Sequence, residues 1–566
     1  MNTLLTLHDP ETARRRYIDG VWRRDTLYSL LADHAAERRG AFALRDGSRR
    51  ITWAQLRPWV DAVAADLHAA GLRRGQRVSA WLPSRAEAVV VFLACSRNGY
   101  VYNPLHRNHT VREVLALAER IGSAALFVEP GYGSGGESAE ILEAARALPA
   151  MRRVYAVDPA GGEARLPHAA AFPAAGASAH PVPVDDDPDK IVYLAFTSGT
   201  SGTPKGVMHS DNTLLANGRA LVADWNHDGN TILLSLSPLS HHIGTVAIEQ
   251  MLVAGMELVT NDPPPGTSPV DWIPRTGATY VMGVPTHAID VLAELRRRER
   301  ARLGDVRVFY MAGSPIPSET AAEFLERGIT PQNVYGMTES GSHQYTLPTD
   351  GRETIVGTCG RACRGYEVRL FDPANPDVEV ATGEIGEIGG RGASLMLGYF
   401  ANQQATEDAF NRDGWFLTGD LGRMDERGCL QIVGRKKDVI IRGGHNIHPA
   451  SIEELAMRCA AVLQAAAFPI ADERLGERVC LAVVPAGGAR AEGPSILAHL
   501  HAAGLSRYDM PEWFVVLDEL PRTASGKVLK RELVEWARSG RIRPEPVRWA
   551  GPPGEGRPRD GEARET

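Results

Sequence analysis

Between Leu27 and Val157 the chain alternates between two hydrophobic periods. Apolar residues recur at helical spacing over Leu27 to Glu37 and over Thr52 to Ala70. Helices are also expected at Val111 to Ile121, at Ser138 to Ala147 and at Ala86 to Asn98, the last apolar enough to be largely buried. Gly47 to Ile51 reads as a turn with a short strand, and Gly75 to Leu82, Ala124 to Val128 and Arg153 to Val157 read as strands. Such alternation predicts an α/β architecture with much of its sheet parallel.

Gly161 to Pro188, rich in Ala, Pro, His and Asp, is expected to be a surface connection. The run Ile191 to Phe196 reads as a buried strand, and α/β alternation resumes with strand-like Thr279 to Met282 and Val306 to Met311. Beyond Thr354, short alternating segments with frequent glycine, such as Tyr366 to Phe371 and Glu384 to Gly389, predict a β-rich subdomain. Gly434 to Asn446 is charged and glycine-rich, as suits a domain boundary. A compact unit should follow: a helix at Ala450 to Cys459 with Ile452, Leu455, Ala456 and Cys459 on one face, strands at Ala465 to Ile470 and Val479 to Val484, and a helix at Ser495 to Ala503. The expected fold is therefore α/β, a large N-terminal domain over residues 1–434 with a β-rich subdomain, then a small mobile α+β domain over 435–545 and a disordered polar tail over 546–566.

At 566 residues the chain exceeds what one core usually organises, which agrees with that division. A net charge of −7 is small for this size and gives no reason to expect nucleic acid or an anionic membrane as partner. The N-terminus lacks the basic start of a signal peptide, and the most apolar run, Ala88 to Cys95, is too short to span a bilayer. The six cysteines are scattered, with only Cys359 and Cys363 close together, so neither a disulfide framework nor a zinc site is indicated; a reducing cytoplasm fits.

Chemistry concentrates first in Thr197 to Gly206, TSGTSGTPKG, directly after the apolar strand. Its glycines let backbone N–H groups approach a ligand closely, its hydroxyls donate to oxyanions, and Lys205 supplies a mobile positive charge. That is the chemistry of a polyphosphate cradle. A flexible Gly/Ser linker would not be expected to end in Pro-Lys-Gly behind an apolar strand, and the Gly-Lys-Ser/Thr triplet of a Walker A loop is missing. A second glycine pattern, Gly131, Gly133 and Gly136 with Asp158 beyond, satisfies a dinucleotide fingerprint and would support an NAD-dependent oxidoreductase. However, Glu129-Pro130 separates these glycines from their strand, and a surface loop is the better reading.

Four further stretches occur in fixed order after the cradle: YGMTE (Tyr335 to Glu339), GWFLTGDLG (Gly414 to Gly422), GRKKD (Gly434 to Asp438) and PRTASGK (Pro521 to Lys527). Together with the cradle, this set strongly resembles the adenylate-forming superfamily, in its acyl- and aryl-CoA synthetase branch, from about Leu27 to about Val534. The resemblance implies an ATP-dependent carboxylic acid–CoA ligase. The acid's carboxylate attacks the α-phosphorus of ATP to give an acyl-adenylate and pyrophosphate, and a thiol then displaces AMP. ATP, Mg²⁺ and coenzyme A are the implied cofactors, and a small carboxylic acid and CoA the partners. A separate carrier protein is the alternative thiol.

The same resemblance implies roles residue by residue. Thr197, Ser198, Thr200, Ser201 and Thr203 would donate to the phosphates, with Gly199 and Gly202 admitting them closely and Lys205 nearby. Tyr335 would stack on adenine beside Gly336, with Gly313, Ser314 and Pro315 on the adenine side; Thr338 would contact the α-phosphate and Glu339 would help hold Mg²⁺. Asp420 and Arg435 match ribose-contacting positions, and Lys437 the hinge. Gly443 and Gly444 would let pantetheine pass. Lys527 matches the catalytic lysine that bridges carboxylate and α-phosphate, whereas Lys530 and Arg531 read as a solvated helix face. His241 matches a position beside the acyl carboxylate, with His242, Val284 and Gly341 lining the pocket. His242 stands where amino-acid-activating relatives carry an aspartate, which argues against an amino-acid substrate and leaves aryl, alicyclic and short- to medium-chain acids open. Adjacent histidines could instead suggest a metal, but sequence neighbours rarely share one ion without further ligands.

Overall fold

In the computed structural model, the structure describes residues 5–47, 49–133, 138–158, 169–175, 182–197, 204–522 and 528–549. By contacts these form two units: one holds most of the chain up to Ile432, the other Gly419–Leu421 and the chain from Val433 onward.

Among the described residues, the large unit is organised by two mixed sheets. One has seven strands in the order Ala170–Ala171, Arg153–Ala156, Ser123–Val128, Arg77–Trp81, Val101–Pro104, Ile191–Thr197, Lys205–Ser210. The other has nine: Arg361–Ala362, Gly341–Tyr345, Thr330–Met337, Val308–Met311, Tyr280–Gly283, Ile232–Ser235, Glu257–Thr260, Phe42–Arg45 and Arg50–Thr52. Their centres are parallel, as the alternation predicted, while each sheet acquires antiparallel pairs at its edges. Helices Ala86–Asn98, Asp211–Asp224 and His242–Ala254 share one hydrophobic cluster with residues of both sheets. Every residue of Ala86–Asn98 is buried, the polar Glu87, Ser96, Arg97 and Asn98 included.

Local chemistry sets the ends of these helices. Thr110 and Glu113 form a reciprocal capping box, and Gly122 ends the helix in the left-handed conformation at φ 60°. Ser210 accepts from the Thr213 amide, so the strand after the cradle turns directly into helix Asp211–Asp224.

The β-rich subdomain is a four-stranded sheet in the order Tyr366–Phe371, Ile385–Gly392, Phe416–Met424, Leu430–Arg435. The small unit builds on Val462–Asp472 paired antiparallel with Gly476–Pro485, next to which Trp513–Val516 runs parallel. Its helix Pro449–Met457 buries Ile452 and Ala456, with Leu455 and Cys459 packed less deeply, and helix Gly493–Ala502 completes the core. No helix among the described residues is long and apolar enough to cross a membrane.

Three expectations need correction. The stretch 161–188 is more than a surface connection: Ala170–Ala171 forms the edge strand beside Arg153–Ala156, and the Trp59 indole donates to the Pro173 carbonyl (2.8 Å). Residues 546–549, expected to open the tail, belong to the small unit: Pro546 pairs with Trp513, the Val547 amide donates to the Glu512 carbonyl and Trp549 packs on the small core. Lys530 is not a solvated helix residue; it is ion-paired with Glu453 at 2.7 Å, both side chains largely buried. As for the glycine fingerprint, Gly133 serves packing: a Cβ there would lie 2.0 Å from the Trp81 ring. Gly136 lies outside the described residues.

Candidate active site

The ends of the cradle meet because Thr197 pairs directly with Lys205 across antiparallel strands Ile191–Thr197 and Lys205–Ser210. Ser198, Gly199, Thr200, Ser201, Gly202 and Thr203 lie outside the described residues. Gly206 is needed for close packing, since an added Cβ would come within 3.0 to 3.3 Å of Leu194, Phe400 and Phe196.

The second element is a tight antiparallel hairpin, Thr330–Met337 with Gly341–Tyr345, in which Met337 pairs with Gly341. A Cβ on Gly336 would lie 1.9 Å from the Gly341 carbonyl oxygen, and Gly341 itself adopts φ 68°. Both glycines are therefore conformational requirements of the turn that presents Thr338 and Glu339. Tyr335 is buried and meets His343 edge-on at 5.5 Å.

Three successive carbonyls of that turn are held from outside it. His209 Nε2 donates to Thr338 O (2.7 Å), the Met396 amide to Glu339 O (2.7 Å) and the Ser394 hydroxyl to Ser340 O (2.7 Å). The segment Ser394 to Phe400 in turn zips onto the cradle strand: Leu397 N donates to Met208 O, Met208 N to Gly398 O and Phe400 N to Gly206 O. The cradle strand and the Glu339 turn thus form one framework.

His209 is 1% exposed, and burial pulls its imidazolium down to about 4. It is neutral at pH 7, with Nε2–H toward the carbonyl and Nδ1 accepting from the Thr213 hydroxyl (3.0 Å). His242 stacks on it at 5.6 Å and lies 5.8 Å from Tyr193. Burial first, then the neighbouring His209 and His241, drive His242 well below the usual imidazole range. His241 caps helix His242–Ala254 by accepting from Ile243 N, and burial lowers it to about 4. His106, 6.2 Å from His241, is lowered to about 3 by burial and then by His241 and His109. These rings are neutral hydrogen-bonding surfaces rather than cations, and among the described residues no group of three or more His, Cys, Asp or Glu is placed to hold a metal.

Gly313 (φ 91°) follows strand Val308–Met311, and a Cβ on it would touch Ile243 Cδ1 (3.6 Å) and Val284 Cγ1 (3.7 Å). The expected adenine-side loop, Gly313-Ser314-Pro315, and the expected pocket residue Val284 are therefore neighbours across an apolar wall.

Asp420, 5% exposed, receives Arg435 Nε at 2.9 Å, so the two expected ribose residues come together, both within the small unit. Lys437 sits in a short 3₁₀ turn, Lys436–Asp438, where burial and then Arg435 lower its ammonium pKa. Gly443 and Gly444 (φ 58° and 87°) form the two-residue turn of the hairpin Ile440–Arg442 with His445–Ile447, a geometry that demands positive φ at both positions. Lys527 lies outside the described residues; Arg522 and Val528, on either side of it, bridge each other.

Three residues that the structure brings to these elements were absent from the sequence-based set: His106, His209 and Tyr399, whose hydroxyl donates to Glu339 Oε1 (3.0 Å). His209 carried a faint signal, lying on the same strand face as Lys205 four residues on. Tyr399 carried none, because its place depends on pairing between segments far apart in the chain.

A family model described as AMP-binding enzyme matches residues 31–400, and one described as AMP-binding enzyme C-terminal domain matches residues 451–527. The chain is 30% identical over 538 residues to the medium-chain fatty-acid–CoA ligase of Escherichia coli (strain K12), covering 94% of this chain and 93% of that protein. It is 32% identical over 495 residues to feruloyl-CoA synthase from Amycolatopsis sp., covering 87% and 95% respectively. The solved structure of ATP-bound MatB from Rhodopseudomonas palustris aligns with a TM-score of 0.81 at 28% identity, over 91% of this chain and 99% of that one. The chain belongs to the AMP-binding enzyme family.

Proposed function

We propose that this protein is an ATP-dependent carboxylic acid–CoA ligase that works through an acyl-adenylate. The observation that carries the reading is the framework joining the cradle strand to the Thr338–Glu339 turn through His209 and Ser394 to Phe400. It ties to one support the segments that this reading assigns to phosphate and metal, as positioning catalysis between two anions requires.

Glu339 suits Mg²⁺: its carboxylate is a hard oxygen donor, buried and held by the Tyr399 hydroxyl (3.0 Å). When bound with ATP, the ion offsets phosphate charge and aligns the phosphates. In this reading Thr197, Lys205 and the cradle hydroxyls hold the triphosphate, and Tyr335 and Gly313 flank adenine. Asp420 and Arg435 contact the ribose, and Lys437 is the hinge between domains of 1–434 and 435–545. The catalytic roles fall to Lys527, Thr200, Glu339 and His241. Gly443 and Gly444 face the CoA arm.

The neutral, buried His242 supports a substrate without an α-ammonium, since nothing in it offers the anion such a group needs. The apolar wall of Ile243, Val284 and Gly313 supports an aryl, alicyclic or short- to medium-chain acid. Named relatives that act on medium-chain fatty acids and on ferulate fall within that range. Pyrophosphate release against a panel of such acids identifies the substrate, and competition between CoA and a carrier protein identifies the thiol. Lys527→Ala should abolish adenylate formation while sparing thioester formation from supplied acyl-adenylate; equal loss of both halves would overturn the assignment.

A further inference from the structure

Tyr399 is 6% exposed and touches both charged groups of the framework. Its hydroxyl donates to Glu339 Oε1 at 3.0 Å, and the Lys205 ammonium lies 4.7 Å from its ring centroid. The backbone around it is fixed as well: Tyr399 bridges Val207 on the cradle strand, and its amide donates to Thr406 Oγ1 (3.0 Å).

We propose that Tyr399 is a positioning residue for the metal–triphosphate complex, its hydroxyl orienting the Glu339 carboxylate while its ring face seats the Lys205 ammonium. A carboxylate that spends one lone pair on a fixed phenol cannot rotate freely, so its other oxygen is presented in one direction. A lysine has four rotatable bonds, and an aromatic face close to its head restricts where the charge sits without neutralising it, as a carboxylate partner would. One side chain thereby aligns an anion meant for a cation and a cation meant for an anion. The proposal rests on the reading of Glu339 as the metal-binding residue and adds to it a division of labour within Tyr399.

Two substitutions separate the two contacts. Tyr399→Phe removes the hydroxyl and keeps the ring; Tyr399→Leu removes both. Binding is measured on the full chain with α,β-methylene-ATP. Electron paramagnetic resonance reports Mn²⁺ in the ternary complex, and calorimetry reports nucleotide affinity in excess EDTA. Glu339→Gln is the control for the metal reading. Loss of a hydrogen bond to a charged group predicts that Tyr399→Phe weakens Mn²⁺ binding about ten-fold. The same variant should leave metal-free nucleotide affinity unchanged, whereas Tyr399→Leu weakens both, and neither alters thioester formation from supplied adenylate. If Glu339→Gln weakens Mn²⁺ binding and Tyr399→Phe does not, the hydroxyl has no positioning role and the proposal fails. If Glu339→Gln has no effect, the metal reading fails and takes the proposal with it. Equal losses in metal binding, metal-free nucleotide binding and the thioester step for Tyr399→Phe would mark a purely structural residue and also overturn it.

Discussion

His209 makes acid sensitivity of the large unit a calculable quantity. Its imidazole falls from 6.5 to about 4 on folding because it is buried, so the unfolded chain binds a proton that the folded chain refuses between those values. Stability from this group is therefore fully present above pH 6.5 and is lost progressively as pH falls toward 4. Integrating the linkage relation gives a loss of about 1 kcal/mol at pH 5.5 and about 2 kcal/mol at pH 4.5, relative to neutral pH. His343, 0% exposed and likewise lowered to about 4 by burial, adds a second such proton.

The perturbation is His209→Gln, whose amide can still donate to Thr338 O but cannot titrate. Urea unfolding of the full chain at pH 7.5, 6.5, 5.5 and 4.5 compares variant with wild type, which removes contributions shared by both. The wild type should lose about 1 kcal/mol more than the variant between pH 7.5 and 5.5, against whatever offset the substitution imposes at neutral pH. Parallel pH profiles would refute a neutral, buried His209. Titration of ring-labelled histidine by NMR gives the same answer directly, since His209 should remain uncharged at pH 5.5 while exposed histidines charge.

Three other outcomes follow from single contacts. Gly336→Ala forces a Cβ against the Gly341 carbonyl, displaces the Glu339 turn, and should lower pyrophosphate formation about a hundred-fold; circular dichroism checks that the fold survives. Gly444→Val places a branched side chain at φ 87° and should cost the small unit about 1–2 kcal/mol, read as a lower thermal midpoint together with a slower thioester step. Lys190 and Asp211 form a buried pair at 2.8 Å, so Lys190→Met should cost about 3–5 kcal/mol by stranding the carboxylate. Adding Asp211→Asn should recover part of that loss in the same unfolding assay.

The sequence was most legible where periodicity and chemistry are local. Helix Leu27–Glu37 and the buried helix Ala86–Asn98 follow from spacing alone, and both coincide with their expected limits. Asp420 and Arg435 were matched one by one through separate motifs, and the structure joins them in an ion pair. What stayed illegible depends on long-range pairing. Strand Val101–Pro104 is too short for a period to show, and it is defined by its neighbours Arg77–Trp81 and Ile191–Thr197. Ala170–Ala171 is a strand only because Tyr155 and Ala156 offer it an edge. Tyr399 is polar chemistry embedded in an apolar run, MLGYF, where an aromatic is expected to be core. The glycines of the turns were read for ligand access, yet Gly336 and the Gly443–Gly444 pair already have sufficient backbone reasons to be glycine.

The histidine cluster also bears on how a ligase of this kind would handle its acid. A carboxylate placed beside His241 meets an imidazole that burial keeps neutral, and the adjoining His106 and His242 are depressed in the same direction. Such rings contribute hydrogen bonds and contact area but no compensating charge. The attraction for the acid's charge has to come from cations instead, and Lys205, over the Tyr399 ring on the cradle strand, is one such group. A neutral pocket has the further consequence that the acyl group is selected by shape and polarity, while the reacting carboxylate is stabilised only once a lysine is delivered to it. Selection and activation would then be carried by different groups, which is the chemical reason for the proposal that Lys527 rather than the pocket histidines activates the acid.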